Sequence, residues 1–461
     1  MRLNLSYLKE KVSQKVHIAP LSVFRVLFGS VMLMATLRFM AKGWVYDLYI
    51  KPAFYFSYYG FEWIKPLGSI GMYILFGILA LSYLLVIVGY YYRIAMVTAF
   101  LTFTYIELID KSNYLNHYYF VSLISFLLIF LPMHRYFSMD TRRKPSLRIT
   151  EVPAWTIDVI KFQLALVYIF AGLAKLNYDW LFRAMPLKIW LPAHTDLPLI
   201  GGLLSYAWIA YLFSWFGAIY DIFIVFFLLN KKTRFTAYLV VIVFHVLTKI
   251  LFPIGMFPYV MIFCTLIFFS EAFHKKIIDR FLKLKLVQRL RQSTQDVIHR
   301  EASIIPVPFK GKIVLSMISL FFILQVLMPW RYLLYPGDLF WTEQGYRFSW
   351  RVMLMEKAGT AFFYVRDADT GYESEITNSD YLTKNQEKMM ATQPDMILQY
   401  AHFLKKEYQK KGIHNPGVRV ESYVTLNGSG SRLFIDPNTD LTLEKESYLP
   451  KKWILPFKQI K

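Results

Sequence analysis

The stretch Gly71-Met-Tyr-Ile-Leu-Phe-Gly-Ile-Leu-Ala-Leu-Ser-Tyr-Leu-Leu-Val-Ile-Val-Gly-Tyr-Tyr91 contains no charged side chain. Wound into a helix at about 1.5 Å per residue, it is about 30 Å long, the thickness of a bilayer's hydrocarbon core. It has no polar face, so a soluble fold would have to bury it on every side. Comparable runs recur at 19–40, 94–111, 117–133, 153–176, 205–230, 235–252, 256–272 and 312–333. Together they predict a polytopic α-helical membrane protein with about nine transmembrane helices. Beyond about residue 336 the composition becomes soluble. The expected division is a membrane domain over 1–335 and a small extracytoplasmic α+β domain over 336–461.

Composition supports this reading. Of 461 residues 56% are hydrophobic and only 18% charged, outside the range of ordinary soluble domains. The formal net charge is +21. The basic residues gather between apolar runs, the pattern of loops facing anionic lipid rather than of a nucleic-acid surface. With the N-terminus inside, the inner segments hold Lys9, Lys11, Arg93, Arg135, Arg142, Arg143, Lys231, Lys232, Arg234 and Lys275. The C-terminal domain then falls outside. The first twenty residues are polar and basic, so the first run is expected to act as an uncleaved anchor. The lone cysteine, Cys264, permits neither an intrachain disulfide nor a thiolate metal cluster.

Two segments between runs stand apart. Residues 41–70 are dense in aromatics, Trp44 to Trp63 among them, and predict an interfacial or re-entrant element at the outer leaflet. Residues 274–300 alternate basic and apolar side chains (Phe281, Leu282, Leu284, Leu286, Leu290) and predict a helix lying on the inner membrane surface. In the soluble part, Thr360–Ile376 alternates around a turn at Asp367–Gly371. Lys384–Lys411 has helical periodicity with Gly412 as its stop, and Gly417–Leu426 with Asn427-Gly428 and Arg432–Ile435 predicts a hairpin. The expectation is a β–α–β unit.

Ionisable residues inside or at the ends of spans are costly, and three groups mark candidate sites. Asp110-Lys-Ser-Asn-Tyr-Leu-Asn116-His117 lies between the third and fourth runs. Asn116 and His117 can donate hydrogen bonds, and a histidine can shuttle a proton near neutral pH. Lys175 closes the fifth run, within Gly172-Leu-Ala-Lys175-Leu-Asn177-Tyr-Asp179-Trp180. It can snorkel, pair with Asp179 four residues on, or act as a base from an apolar pocket. His245 lies inside the seventh run with Lys249 on the same helical face. The topology puts all three groups at one end of the bundle, around one pocket. No H-x-H, H-E-x-x-H, P-loop, G-x-S-x-G or dinucleotide fingerprint is present, and no metal is expected.

At these residues the sequence resembles the vitamin K-dependent gamma-carboxylase family in its short bacterial form, with an HTTM-type membrane domain. The matching stretches run in order along nearly the whole chain: Ala19-Pro-Leu-Ser-Val-Phe-Arg25 with Phe28-Gly29, Asp110–His117, Ile169–Trp180, Phe244-His245, Ile254–Met261, Gly345-Tyr-Arg-Phe-Ser-Trp350 and Arg432–Pro437. The resemblance implies a membrane enzyme that couples oxygenation and epoxidation of a reduced naphthoquinone to carboxylation of glutamate. Reduced vitamin K, O2 and CO2 are the implied co-reactants. Membrane lipid, quinone and a glutamate-containing protein or peptide are the implied partners. The family's base lysine falls on Lys175, its hydroquinone-steadying Asn-His pair on Asn116 and His117, and a further pocket histidine on His245. A bacterial cytoplasmic membrane is the expected location.

The chain also departs from the family pattern. It is shorter than the animal enzymes, cannot form their disulfide, and has Phe348 where a tyrosine is expected. Two other functions therefore stay open: a reduced-quinone oxygenase or epoxidase that fixes no carbon dioxide, and a multi-pass transporter or lipid-binding protein.

Overall fold

The computed structural model describes residues 14–283 and 309–457. Among them seven helices are long and apolar enough to cross a membrane. Six are α1 (Ala19–Ala41), α3 (Gly68–Val88), α4 (Tyr92–Ile109), α6 (Trp155–Ala174), α8 (Ala207–Leu229) and α9 (Arg234–Leu251), and the seventh is α12 (Ile313–Leu334). Between α1 and α3 lies the short α2 (Trp44–Tyr49).

Seven is fewer than the nine apolar runs, and the difference has a local cause in each case. α5 (Asn116–Phe130) has 15 residues, a length of about 22 Å, short of the hydrocarbon thickness. The run expected at 256–272 forms α10 (Phe257–Thr265) and one 3-10 turn to Phe268, then bends by 114° into α11 (Glu271–Leu282). The bend falls where Ser270 caps the new helix by accepting a hydrogen bond from the Phe273 N–H at 3.3 Å. α11 is amphipathic, with His274 and Ile278 buried against α1. The rest of the expected surface helix, residues 284–300, lies outside the described residues.

The helices approach closely where small residues allow it. A Cβ on Gly29 of α1 would lie 2.8 Å from Ile87 Cγ1 of α3. A Cβ on Gly172 of α6 would lie 2.7 Å from the backbone nitrogen of Ile222 in α8. Between α1 and α6 a two-stranded ribbon pairs β1 (Lys15–His17) with β2 (Glu151–Pro153), which ties the start of the chain to the entry of α6.

The C-terminal part is a four-stranded antiparallel sheet in the order β4-β3-β5-β6, built from β3 (Lys357–Arg366), β4 (Glu373–Ile376), β5 (Gly417–Leu426) and β6 (Arg432–Leu433). Tyr364 faces Arg419 and Glu375 across the register. Both β4 and β5 run antiparallel to β3, so they are parallel to each other with β3 between them. The β–α–β crossover is thus real, but it links β4 to β5. The helix expected over 384–411 is two, α13 (Lys384–Met390) and α14 (Pro394–Lys410). Pro394 lacks an N–H and disfavours helical backbone before it, and Gln393 is accordingly extended at φ −118°. Phe363, Tyr400, Leu404 and Val420 are fully buried between the sheet and α14.

Residues 41–70 are a seam between the two parts. Phe56 is fully buried in the C-terminal core, and Phe54 packs 4.5 Å from Phe403 between ring centroids. Only part of the segment keeps the exposed aromatic surface expected of an interfacial element, Trp63 being 72% exposed. Polar contacts lock the seam. Lys111 Nζ and Arg347 Nη1 each lie 2.7 Å from Asp395 Oδ2. Gln386 donates to Phe54 O at 2.7 Å and to Asp110 Oδ2 at 2.8 Å.

Asp395 is therefore a shared anchor for three segments. Burial opposes its charge, but Arg347 and Lys111 outweigh this and hold its carboxyl well below the ordinary carboxylate range. A depressed carboxyl contributes stability above its unfolded pKa, about 4, and loses it only as pH falls toward the folded value. Docking of the C-terminal part should thus be constant from pH 8 to pH 5 and weaken below about pH 4. Asp395→Ala leaves two buried cations and should destabilise the protein by about 3 kcal/mol or more at neutral pH. Thermal unfolding in detergent across that pH range measures both effects.

Candidate active site

A cavity of about 670 Å³ lies where the ends of the helices meet the C-terminal part. All four residues singled out in the sequence, Asn116, His117, Lys175 and His245, line it. They come from three elements far apart in the chain.

Lys175 caps the C-terminus of α6 and is 7% exposed. Its Nζ lies 2.6 Å from Asp221 Oδ2 on α8 and 3.3 Å from the Ala171 carbonyl. The cause is the close approach one turn earlier. Because Gly172 has no side chain, α6 rests on the Ile222 backbone, and the next turn of α6 brings Lys175 against Asp221. The side chain neither snorkels nor pairs with Asp179. The chain breaks at Asn177, which caps α7 (Tyr178–Arg183) by accepting from the Trp180 N–H at 2.9 Å. Asp179 thereby belongs to a new helix and binds Arg183 at 3.0 Å and Asn427 at 2.8 Å.

Asp221 was missed in the sequence. Its signal was present: it is the one charged residue in Ala207–Leu229, and an ionisable group in a span marks a site. Glu107, in α4, also lines the cavity and was passed over; its Oε2 accepts from Ser122 Oγ at 3.1 Å.

His245 is 3% exposed, and its Nδ1 lies 2.9 Å from the Val241 carbonyl. A carbonyl oxygen only accepts, so Nδ1 carries the proton and Nε2 is left as an acceptor. The rings of Tyr168 and Phe257 stand 6.3 Å and 6.2 Å from the imidazole. His117 lies across Phe257, 5.5 Å away, so the two histidines flank one aromatic ring. Gly255, at φ 62°, keeps the backbone close: a Cβ there would lie 4.0 Å from His117 Nε2. Lys249 does not reach the cavity, although Thr248 does.

Asn116 is committed on both sides of its carboxamide. It donates to the Arg351 carbonyl at 3.0 Å and accepts from Tyr114 OH at 3.0 Å. One N–H remains for a ligand. Phe348, in place of the expected tyrosine, packs between Tyr114 and Tyr119 at 5.0 Å and 4.9 Å.

Residues 13–273 match the HTTM domain, and residues 310–460 match the vitamin K-dependent gamma-carboxylase lumenal domain. The chain belongs to the vitamin K-dependent gamma-carboxylase family. No solved structure matches it. The gamma-carboxylase lumenal-domain match starts at residue 310, ahead of the apolar segment Ile313–Leu334. Within this family member, Lys175 and Asp221 are buried side by side on the wall of the cavity. Among the described residues no group of three or more His, Cys, Asp or Glu side chains is placed to hold a metal ion.

Removing one partner of a buried pair strands the other charge, whereas replacing both with apolar groups is much milder. Asp221→Leu should therefore cost about 3–5 kcal/mol. Lys175→Met with Asp221→Leu should recover most of that loss. A double-mutant cycle of unfolding in detergent measures the coupling.

Proposed function

We propose that this protein is a gamma-carboxylase-type membrane enzyme, in which Lys175 is the base toward a reduced naphthoquinone and glutamate is the carboxyl acceptor. The observation that carries the proposal is the Lys175–Asp221 pair on the wall of a cavity that His117 and His245 also line. The proposal includes a cytoplasmic N-terminus, a C-terminal part outside the membrane beyond about residue 336, and a bacterial cytoplasmic membrane. It also counts α5 and α10 as membrane segments beside the seven long ones.

The fit to a naphthohydroquinone rests on the cavity's lining. Its volume of about 670 Å³ is in the range of small-molecule sites. Phe39, Phe76, Phe103, Phe244 and Phe257 offer flat apolar surface beside the polar groups. When bound, a reduced naphthoquinone with oxygen would supply a base far stronger than any side chain. The chain's own residues have narrower tasks.

Lys175 must present a neutral amine to accept a hydroxyl proton. Its 2.6 Å hydrogen bond to Asp221 gives the ammonium proton a direct path to the carboxylate. Asp221 is thus the proton's partner, and Ala171 O orients the amine. His245, with Nδ1 held by Val241, offers Nε2 to a hydroxyl group. His117 stands across Phe257 to do the same from the opposite side, and Asn116 steadies the ligand with its remaining N–H. Asp395 holds Lys111 and Arg347, which line the cavity, and exclusion of water from the site would preserve a strong base.

Purified protein in detergent, given reduced naphthoquinone, oxygen, labelled bicarbonate and a glutamate peptide, should yield epoxide and labelled peptide. Both should fall by at least about a hundredfold in folded Lys175→Ala. Epoxide without label would reduce the function to quinol oxygenation. Neither product, with several quinones tried, would end the enzymatic reading in favour of transport or lipid binding.

A further inference from the structure

Four basic side chains that line the cavity are buried, Lys111, Lys175, Lys357 and Arg351, and Lys357 faces Glu343. Lys111 faces Asp395 and Lys175 faces Asp221. Arg351, 9% exposed, forms no ion pair with any described carboxylate. Its guanidinium carbon lies 4.4 Å over the Tyr332 ring, and its Nε is buried without a hydrogen-bond partner. A buried charge without a counter-ion is expensive and is retained where something else supplies the opposite charge.

The backbone around it is also strained. Phe348, Trp350 and Met353 all adopt the left-handed conformation, at φ 62°, 59° and 54°. Non-glycine residues persist there only when their surroundings over-determine them, and such strain gathers at functional sites. The surroundings here do so. The Phe348 N–H donates to Tyr114 OH at 2.8 Å, Arg331 Nη2 to the Arg347 carbonyl at 2.6 Å, and Asn116 Nδ2 to the Arg351 carbonyl at 3.0 Å. Trp350 is buried against Tyr119 and Phe120 of α5. The helices carrying the proposed site therefore fix the position of Arg351 in advance.

We propose that Arg351 binds the carboxylate formed from carbon dioxide. The inference rests on the carboxylase reading and adds a residue for its second half. In that step the electron pair on the acceptor carbon forms a bond to the carbon of CO2, and one C=O electron pair moves onto oxygen. Nothing leaves, and no external oxidant is needed. Negative charge passes from one carbon to two oxygens, the shape a guanidinium fork matches with parallel N–H donors. The acceptor's own carboxylate is present before and after the step, whereas this charge appears only during it. A positioned cation without a carboxylate partner is the group that selects for such charge.

Binding of a gamma-carboxyglutamate peptide and of the matching glutamate peptide, measured without quinone by thermal shift and titration, tests the proposal. The wild type should bind the dicarboxylate about tenfold more tightly, a preference lost in Arg351→Gln and partly kept in Arg351→Lys. In turnover, Arg351→Gln should raise the KM for CO2 and the ratio of epoxide to carboxylated product, with the KM for the peptide unchanged. An equal preference in wild type and Arg351→Gln would overturn the proposal. So would a rise in peptide KM with CO2 KM unchanged, which would assign Arg351 to the acceptor's own carboxylate. If the wild type fixes no label yet shows an Arg351-dependent preference, the anion site stands and the carboxylase reading falls.

Discussion

The contact between Gly172 and the backbone of Ile222 sets the geometry on which the site depends. Lipid offers no hydrophobic force to press two helices together, so their approach is governed by the size of the side chains between them. With a hydrogen at position 172 the two backbones meet, and the next turn of α6 carries Lys175 into reach of Asp221. One ångström more separation would turn a 2.6 Å hydrogen bond into two stranded charges. The helix–loop junction continues the same contact. Trp180 donates from Nε1 to Ser214 O at 2.8 Å, folding α7 back onto α8 beyond the pair.

The other end of the cavity is built from the opposite kind of force. The helical walls are packed apolar side chains interrupted by the Lys175–Asp221 pair and two histidines, whereas the roof is fixed by buried charge. Asp395 takes two cations from different segments, and Lys357 meets Glu343 at 2.9 Å. Asn427 at the tip of the β5–β6 hairpin reaches Asp179 at 2.8 Å, which ties the sheet to α7. Hydrogen-bonded pairs of this kind are directional and add specificity where apolar packing alone would let the roof slide.

Much of this was legible in the sequence, for physical reasons that differ by residue. The spans were readable because length and apolarity are local properties, and the ends of α1, α6, α8 and α9 fall within a few residues of their runs. Asn116, His117, Lys175 and His245 were readable because polar groups at such places are costly. The partner of Lys175 was not read, because a helix-spacing rule favoured Asp179, and a capping residue two positions beyond the lysine voids that rule. Asp221 was visible as a lone charge in an apolar run, but its pairing depends on which helices touch, which composition does not encode. α5 is cut short where Leu131, ahead of Pro132, turns extended at ψ 144°, and the bend before α11 turns on one polar residue, Ser270. The break before α14 turns on Pro394, which helical periodicity by itself ignores.

The left-handed residues around Arg351 were the least legible feature of all. Nothing in Phe-Ser-Trp-Arg-Val-Met marks a strained backbone, since bulky residues disfavour positive φ and a sequence rule would exclude it. The strain exists because three hydrogen bonds and the burial of the Trp350 indole hold the strap in place, and two of those bonds run to Tyr114 and Asn116, more than two hundred residues away in the chain. Folding energy from the helices is thereby used to keep one guanidinium at a fixed point of the cavity. A loop free to relax would let Arg351 swing out to water, where its charge costs nothing and selects nothing. Position, rather than charge alone, is what the strained strap provides.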